Sequence, residues 1–358
     1  MLYQWIISLP MMVCFFWSLF FCIRLFRQDD EPRVKGTILI FYIATSVLYT
    51  DHWFYFSGRP SFVGEWTYSV MNLCVYPLYY AYLCALTREK KRLEVGILLI
   101  PALLIAILFP LNKWLGWNAG ESMRIAARIC FACLVIWVLV RGYHLLNRTK
   151  RRMDDTYSDE RSRLLRPLHI LLVLFGITAV VSILLNFAGR DFFEENVLLG
   201  LPAVIMSTLL FGLGYVAAHT TLPVETVSIE ENNEEDKATT QETDELMYRI
   251  ATVLREDKLF ADTRLTIQDL ATAISSNRTY VSNCINRRTG LSFSQYIARY
   301  RVEHAQTILC DKRYTSDHDA IAAAIALSGF TSDQTFYRVF KEITGTTPLQ
   351  YRQQNKQK

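Results

Sequence analysis

Two stretches near the C-terminus, residues 277–288 and 332–344, place hydrogen-bonding side chains along one face of a short helix. In the first, Val281, Cys284 and Ile285 fall on an inner face, and Arg278, Thr279, Ser282, Asn283, Asn286 and Arg287 point outward. In the second, Phe336, Val339 and Phe340 are inward, and Asp333, Gln334, Tyr337, Arg338 and Lys341 project. Amide, hydroxyl and guanidinium groups in such rows suit the edges of base pairs: Asn or Gln pairs with adenine, Arg with guanine. Any surface helix has a polar face, so the weight of the argument falls on the elements that present it.

Those elements repeat. Shifted by 55 positions, Ile285 falls on Phe340, Thr289 on Thr344, Gly290 on Gly345, Gln295 on Gln350 and Tyr296 on Tyr351. Each copy reads as helix, tight turn, second helix and a Gly where a helix end wants positive φ. In the first copy LTIQDLATAI leads, with Leu270, Ala271 and Ile274 inward, and Asn277 caps a helix running to Arg288. In the second, DAIAAAIALS leads, Gly329-Phe330 turn, and Thr331 or Ser332 caps a helix running to Thr344. This is helix-turn-helix geometry, whose second member enters the major groove. The connection SFSQYIARYRVEHAQTILC, residues 292–310, carries Phe293, Tyr296, Ile297, Tyr300, Ala305, Ile308 and Leu309 at helical spacing. As a rod it measures roughly 28 Å, close to the ~34 Å between successive major-groove faces on one side of B-DNA.

The segments LTIQDLA, TGLSFSQYIARYRVEHAQTIL and GFTSDQTFYRVFKEITGTTPLQYR, closing on Pro348, Tyr351 and Arg352, resemble the DNA-binding domain of the AraC/XylS family of bacterial transcription regulators. The resemblance covers residues 246–352 and stops at residue 245. It implies base contacts from Thr279, Ser282 and Asn283 in the first copy and from Asp333, Gln334 and Arg338 in the second. Arg287, Lys341 and the helix N-termini would meet phosphates. Three positions depart from the family pattern. Ser275 stands where the family has a turn Gly, at about 1 kcal/mol if the backbone there is left-handed. Ile325, flanked by Ala324 and Ala326, replaces a small residue, and Asn283 replaces a larger side chain, often Arg.

The rest of the chain is of another kind. Residues 1–221 hold 21 Lys or Arg and 15 Asp or Glu, gathered in short clusters between apolar runs about long enough to span a bilayer. Seven spans are predicted: 3–26, 37–57, 67–87, 95–112, 125–146, 168–188 and 197–219. Loops 27–36, 88–94 and 147–167 carry 14 Lys or Arg, against 4 in the N-terminus and the alternate loops. Positive loops stay in the cytoplasm, which puts the N-terminus outside and the C-terminus inside. Trp53, Trp66, Trp114 and Trp117 fall near the outer ends, as an interfacial belt requires. Residues 222–245, with nine acidic side chains and one Lys, read as a flexible linker. Residues 246–358 carry 16 basic and 10 acidic side chains, an excess that fits a polyanion.

The expected fold is therefore all-α: a seven-helix transmembrane domain over 1–221, a linker over 222–245 and a double helix-turn-helix over 246–358. Within the spans, Asp51, His52, Asn72 and Arg128 are polar residues where polarity is costly, and they are the candidates for sensing a signal. A structural Asp51–Arg128 pair is the plainer alternative. Cys130 and Cys133 form a C-x-x-C with no second pair or nearby His, so no metal is expected. H-E-x-x-H, G-x-S-x-G and Walker patterns are absent, and neither an enzyme nor a cofactor is expected. The expected partners are double-stranded DNA, the lipid bilayer of a bacterial cytoplasmic membrane, an unknown signal ligand or membrane partner, and a second copy of the chain. The competing reading is a transporter or receptor whose cytoplasmic helices serve protein interaction.

Overall fold

Long apolar runs without turn residues become helices because every backbone group can be satisfied within the segment. A computed structural model of the chain describes residues 2–27, 31–56, 65–159, 161–188, 200–220, 222 and 240–355. Every regular element among them is helical. They fall into two units, Met1–Arg148 with Leu164–Val227, and Thr149–Arg163 with Ser228–Lys358.

The first unit is built from α1 (Leu2–Phe26), α2 (Pro32–Phe56), α3 (Glu65–Leu86), α4 (Arg92–Trp114), most of α5 (Gly120–Thr156), α6 (Arg166–Ala188) and α7 (Gly200–His219). Helix α1 packs on α2 and α7, α2 on α3, α3 on α4, and α6 on α7. The α1–α7 approach is close because Gly214 leaves room for an indole: a Cβ there would lie 2.2 Å from the Trp17 ring. Trp17 stacks on Phe21 at 5.6 Å, Phe21 on Tyr42 at 6.0 Å, and the Tyr42 hydroxyl donates to the Leu210 carbonyl at 2.6 Å.

Six helical segments among the described residues are long and apolar enough to cross a membrane, against seven predicted. The exception is the predicted span 37–57. It is helical, as α2, but Lys35, Thr45, Ser46 and Asp51 lower its hydropathy. These four are buried, whereas Ile40 and Ile43 are exposed, so α2 turns its polar side inward. Thr45 and Ser46 donate to the carbonyls of Phe41 and Tyr42, each at 2.7 Å. The predicted loop 147–167 is also different. No Gly or Pro interrupts residues 143–156, and α5 continues through them to Thr156, followed by a 3-10 turn Arg161–Leu165.

The second unit holds α8 (Thr240–Glu256), α9 (Ile267–Ala273), α10 (Arg278–Thr289), α11 (Phe293–Leu309), α12 (Asp317–Leu327), α13 (Asp333–Thr344) and α14 (Pro348–Asn355). Helix α8 begins inside the segment read as linker; residues 223–239 of that segment lie outside the described residues. Caps set the boundaries. Thr266 with Asp269, and Ser292 with Gln295, form capping boxes at α9 and α11. The Asn277 side chain accepts from the Thr279 amide at 2.8 Å, and Ser332 caps α13 by accepting from Thr335 at 3.3 Å. Gly290 and Gly345 end α10 and α13 at φ 68° and 77°. Two apolar cores result. One joins Leu246, Ile250, Leu270, Val281, Ile285 and Phe293; the other joins Val302, Leu309, Ala324, Phe336, Val339 and Phe340.

Two buried guanidiniums tie loops to these cores. Arg301 donates to the carbonyls of Phe260 at 2.8 Å, Asp262 at 2.7 Å and Ser158 at 3.1 Å, and to the Ser158 hydroxyl at 2.9 Å. Burial pushes its ionisation down to about 10, with Asp159 and Asp262 opposing, so it stays charged at neutral pH. The Ser158 amide donates to the Leu265 carbonyl at 3.0 Å, which fastens the segment after α5 into this unit. Arg352 bonds Asp317 at 2.8 Å, the Leu309 carbonyl at 2.5 Å and the Tyr314 carbonyl.

Ser275 has φ 49°, the left-handed backbone that makes a side chain costly, and Gly329 has φ 75° at the matching turn. A Cβ on Gly329 would meet the Ala261 and Phe260 carbonyl oxygens at 2.6 and 2.7 Å. Ser275→Gly is therefore expected to slow hydrogen exchange of α9 and α10 amides in the full-length protein about fivefold, the equivalent of ~1 kcal/mol. Gly329→Ala should speed exchange in α12 and α13 by a larger factor.

His304 packs its ring 5.1 Å from that of Phe260 and 3.4 Å from the Ser328 hydroxyl. Burial, and secondarily Lys258, hold its ionisation below the usual histidine value of 6.5. The unfolded chain thus takes up this proton at higher pH than the folded one, and the associated stability is full above about pH 6.5 and declines as pH falls below it. Exchange of α11 amides, corrected for intrinsic rates, should quicken between pH 7 and 5, and His304→Gln should flatten that dependence.

Candidate nucleic-acid interface

Helices α9 and α10 pack directly on each other, and both pack into the first core. Asn277 starts α10 and Gly290 stops it, so its exposed row is fixed by Val281, Cys284 and Ile285 on the buried side. Thr279, Asn283, Asn286 and Arg287 are exposed; Arg278 and Ser282 are half-buried. Burial, together with the positive charge of Arg152 from the end of α5, lowers the Arg278 ionisation. A second cation close to Arg278 adds to the positive field at the start of α10, where helix-terminal amides already favour anions. The neighbouring Arg288 pairs instead with Asp244 of α8.

The second copy repeats the plan. Helix α13 buries Phe336, Val339 and Phe340 and leaves Asp333, Gln334, Tyr337 and Lys341 exposed. Arg338 is half-buried, and its Nη1 reaches Glu342, one turn on, at 3.0 Å. Burial lowers its ionisation, with Glu342 opposing. Contact with a guanine would exchange the Glu342 oxygen for the base edge. Of the eleven residues read from sequence as base- or phosphate-facing, the structure leaves eight exposed on two matching helices and three half-buried at their margins. Arg152 was not read from sequence, because 126 positions separate it from Arg278.

The sensing candidates divide. His52 and Asn72 line one cavity in the first unit, with His52 Nε2 3.2 Å from the Tyr68 hydroxyl oxygen. Asp51 is buried, 5% exposed, and Arg128 is half-buried, but neither lines that cavity. Tyr76 and Tyr79 also line it and were not singled out in the sequence; their place on the same side of α3 as Asn72 was the available signal.

Residues 270–354 match the family described as helix-turn-helix domain. The melibiose operon regulatory protein of Escherichia coli (strain K12) is 35% identical over 98 residues, which are 27% of this chain and 30% of that protein. YisR of Bacillus subtilis (strain 168) and YijO of Escherichia coli (strain K12), both uncharacterized HTH-type transcriptional regulators, are 30% identical over 89 residues and 31% over 90. Each of these two alignments covers 25% of this chain, and 29% and 30% of the respective relatives. The chain thus spans about 30% of the length of these curated relatives. No solved structure matches the chain. Residues 270–354 are a helix-turn-helix domain similar to those of bacterial transcription regulators of the AraC type.

Proposed function

We propose that the chain is a membrane-anchored, sequence-specific transcription regulator whose first unit senses a signal and whose second unit reads DNA. The observation that carries the reading is the paired arrangement of α10 and α13. Each is a capped helix with a polar row, and α11 runs between them from one core into the other. Its 17 residues make a rod of about 25 Å. Two such helices on one polypeptide suit consecutive major-groove windows without a second copy.

Support for the membrane comes from the surface of the first unit. Leu93, Leu103, Ile136, Ile177, Leu184 and Leu201 are all at least half exposed, a density of apolar side chains that water does not tolerate on this scale. Helix α2 fits as a seventh crossing despite its low hydropathy, because its polar residues turn inward and Ile40 and Ile43 outward. Seven crossings and the excess of Lys and Arg in alternate loops agree on an outward N-terminus and a cytoplasmic second unit. A transporter or receptor with an interaction domain would need neither the base-suited rows nor their spacing.

Binding of the full-length protein, in lipid nanodiscs, to duplexes selected from a random pool tests the reading. Arg287→Ala and Lys341→Ala should weaken all sequences alike and reduce the salt slope by about one each. Asn283→Ala and Gln334→Ala should relax base preference by roughly tenfold at distinct positions, within the ~1–3 kcal/mol of a bidentate contact. Failure to select any duplex in low salt would refute it. Topology is tested separately with reporters at both ends. An outward N-terminus and inward C-terminus are expected, whereas both ends on one side would mean that α2 does not cross.

A further inference from the structure

Five helices of the first unit, α2, α3, α5, α6 and α7, converge on a cavity of about 80 Å³. Its walls are mainly rings, contributed by Phe41, Tyr49, Tyr76, Tyr79, Phe131 and Phe175. Thr45, His52, Asn72 and Ser182 are among the other lining residues. No Asp, Glu, Lys or Arg lines it: Asp51, one position from His52, is outside the lining, and so is Arg128. The Thr45 hydroxyl is already committed to the Phe41 carbonyl, and His52 to Tyr68.

Two lining groups stand apart. The Tyr79 residue is 3% exposed, and its hydroxyl has no hydrogen-bond partner among the described residues. The Asn72 amide likewise makes no hydrogen bond within the described residues, yet it borders the cavity. Buried polar groups are normally paired, since leaving one unpaired destabilises the fold. A phenylalanine at 79 would fill the same space without that penalty. A buried hydroxyl and a half-buried amide, each able to donate and accept, beside a chamber of aromatic walls, describe the complement of a specific guest.

The walls restrict that guest in three ways. A formal charge would be stripped of water with no Asp, Glu, Lys or Arg on the lining to pair with it, so the guest is neutral. The volume is about half that of the ~150 Å³ cavity known to take benzene, so it has only a few non-hydrogen atoms. It carries a hydroxyl or carbonyl on a short apolar body, to satisfy Tyr79 and Asn72 while the remainder lies against the rings. We propose that this cavity binds a small neutral alcohol or carbonyl compound, and that it is the ligand site of the sensing unit. The second clause rests on the function proposed above; the binding itself does not.

The test uses full-length protein in lipid nanodiscs, 1-propanol as probe and propionate as its charged counterpart, with saturation-transfer NMR as readout. A guest of about four non-hydrogen atoms has a ceiling on affinity, so saturation in the range of roughly 0.1–10 mM is expected. Propionate should not saturate. Tyr79→Phe, which preserves shape, should weaken 1-propanol at least tenfold while leaving the melting temperature of the empty protein equal or higher. The proposal is overturned if 1-propanol fails to saturate, if propionate saturates equally, or if Tyr79→Phe binds 1-propanol as the parent does. Selection of duplex DNA is measured on the same preparation without 1-propanol. Loss of probe binding with DNA binding intact counts against the cavity, and the reverse counts against the regulator.

Discussion

Helix α11 is shared between two hydrophobic cores. Its first turns send Phe293, Tyr296 and Ile297 into the core beneath α9 and α10, and its later turns send Val302, Ala305, Ile308 and Leu309 into the core beneath α12 and α13. Neither core closes without it. Because one continuous helix serves both, the distance between α10 and α13 and their relative rotation follow from the rise and twist of an α-helix and not from a flexible connection. Removing a large buried side chain from either core, such as Phe293 or Phe340, would cost ~3–5 kcal/mol and loosen that relation along with the fold.

The buried guanidiniums reinforce the same arrangement. Arg301, in the middle of α11, gathers the carbonyls of Phe260, Asp262 and Ser158, and Arg352 gathers those of Leu309 and Tyr314 together with the Asp317 carboxylate. A desolvated cation is tolerated only when its donors are all met, so each arginine holds several loops to a single geometry. Arg301 also reaches the segment that follows α5. Among the described residues, the second unit is thus drawn from two separate parts of the chain, residues 149–163 and 240–355.

What could be read from the sequence was local. Asn277, Gly290, Gly345 and either Thr331 or Ser332 mark helix ends through hydrogen bonds and φ values that span a few residues, and the structure uses Asn277, Ser332 and both glycines in that way. The Phe336–Val339–Phe340 face followed from helical spacing, and Ser275 does adopt the left-handed backbone that its turn position implied. Long-range organisation was less accessible. Arg301 and Ser158 are 143 positions apart, and no periodicity announces their bond. The inward polarity of α2 needs its neighbours to be seen, and so does the separation of His52 and Asn72, which line the cavity, from Asp51 and Arg128, which do not. Helix α8 was obscured by an acidic composition that resembles linker, although Leu246, Ile250 and Leu254 anchor it in the first core.

The claim on which most depends is that α11 holds two base-reading helices at a fixed separation. Hydroxyl-radical footprinting of the full-length protein on a selected duplex tests it directly. Two protected windows on one face, centred about 10 base pairs apart at every site, are the predicted result. A single window, or a pair whose separation varies from site to site, would contradict it.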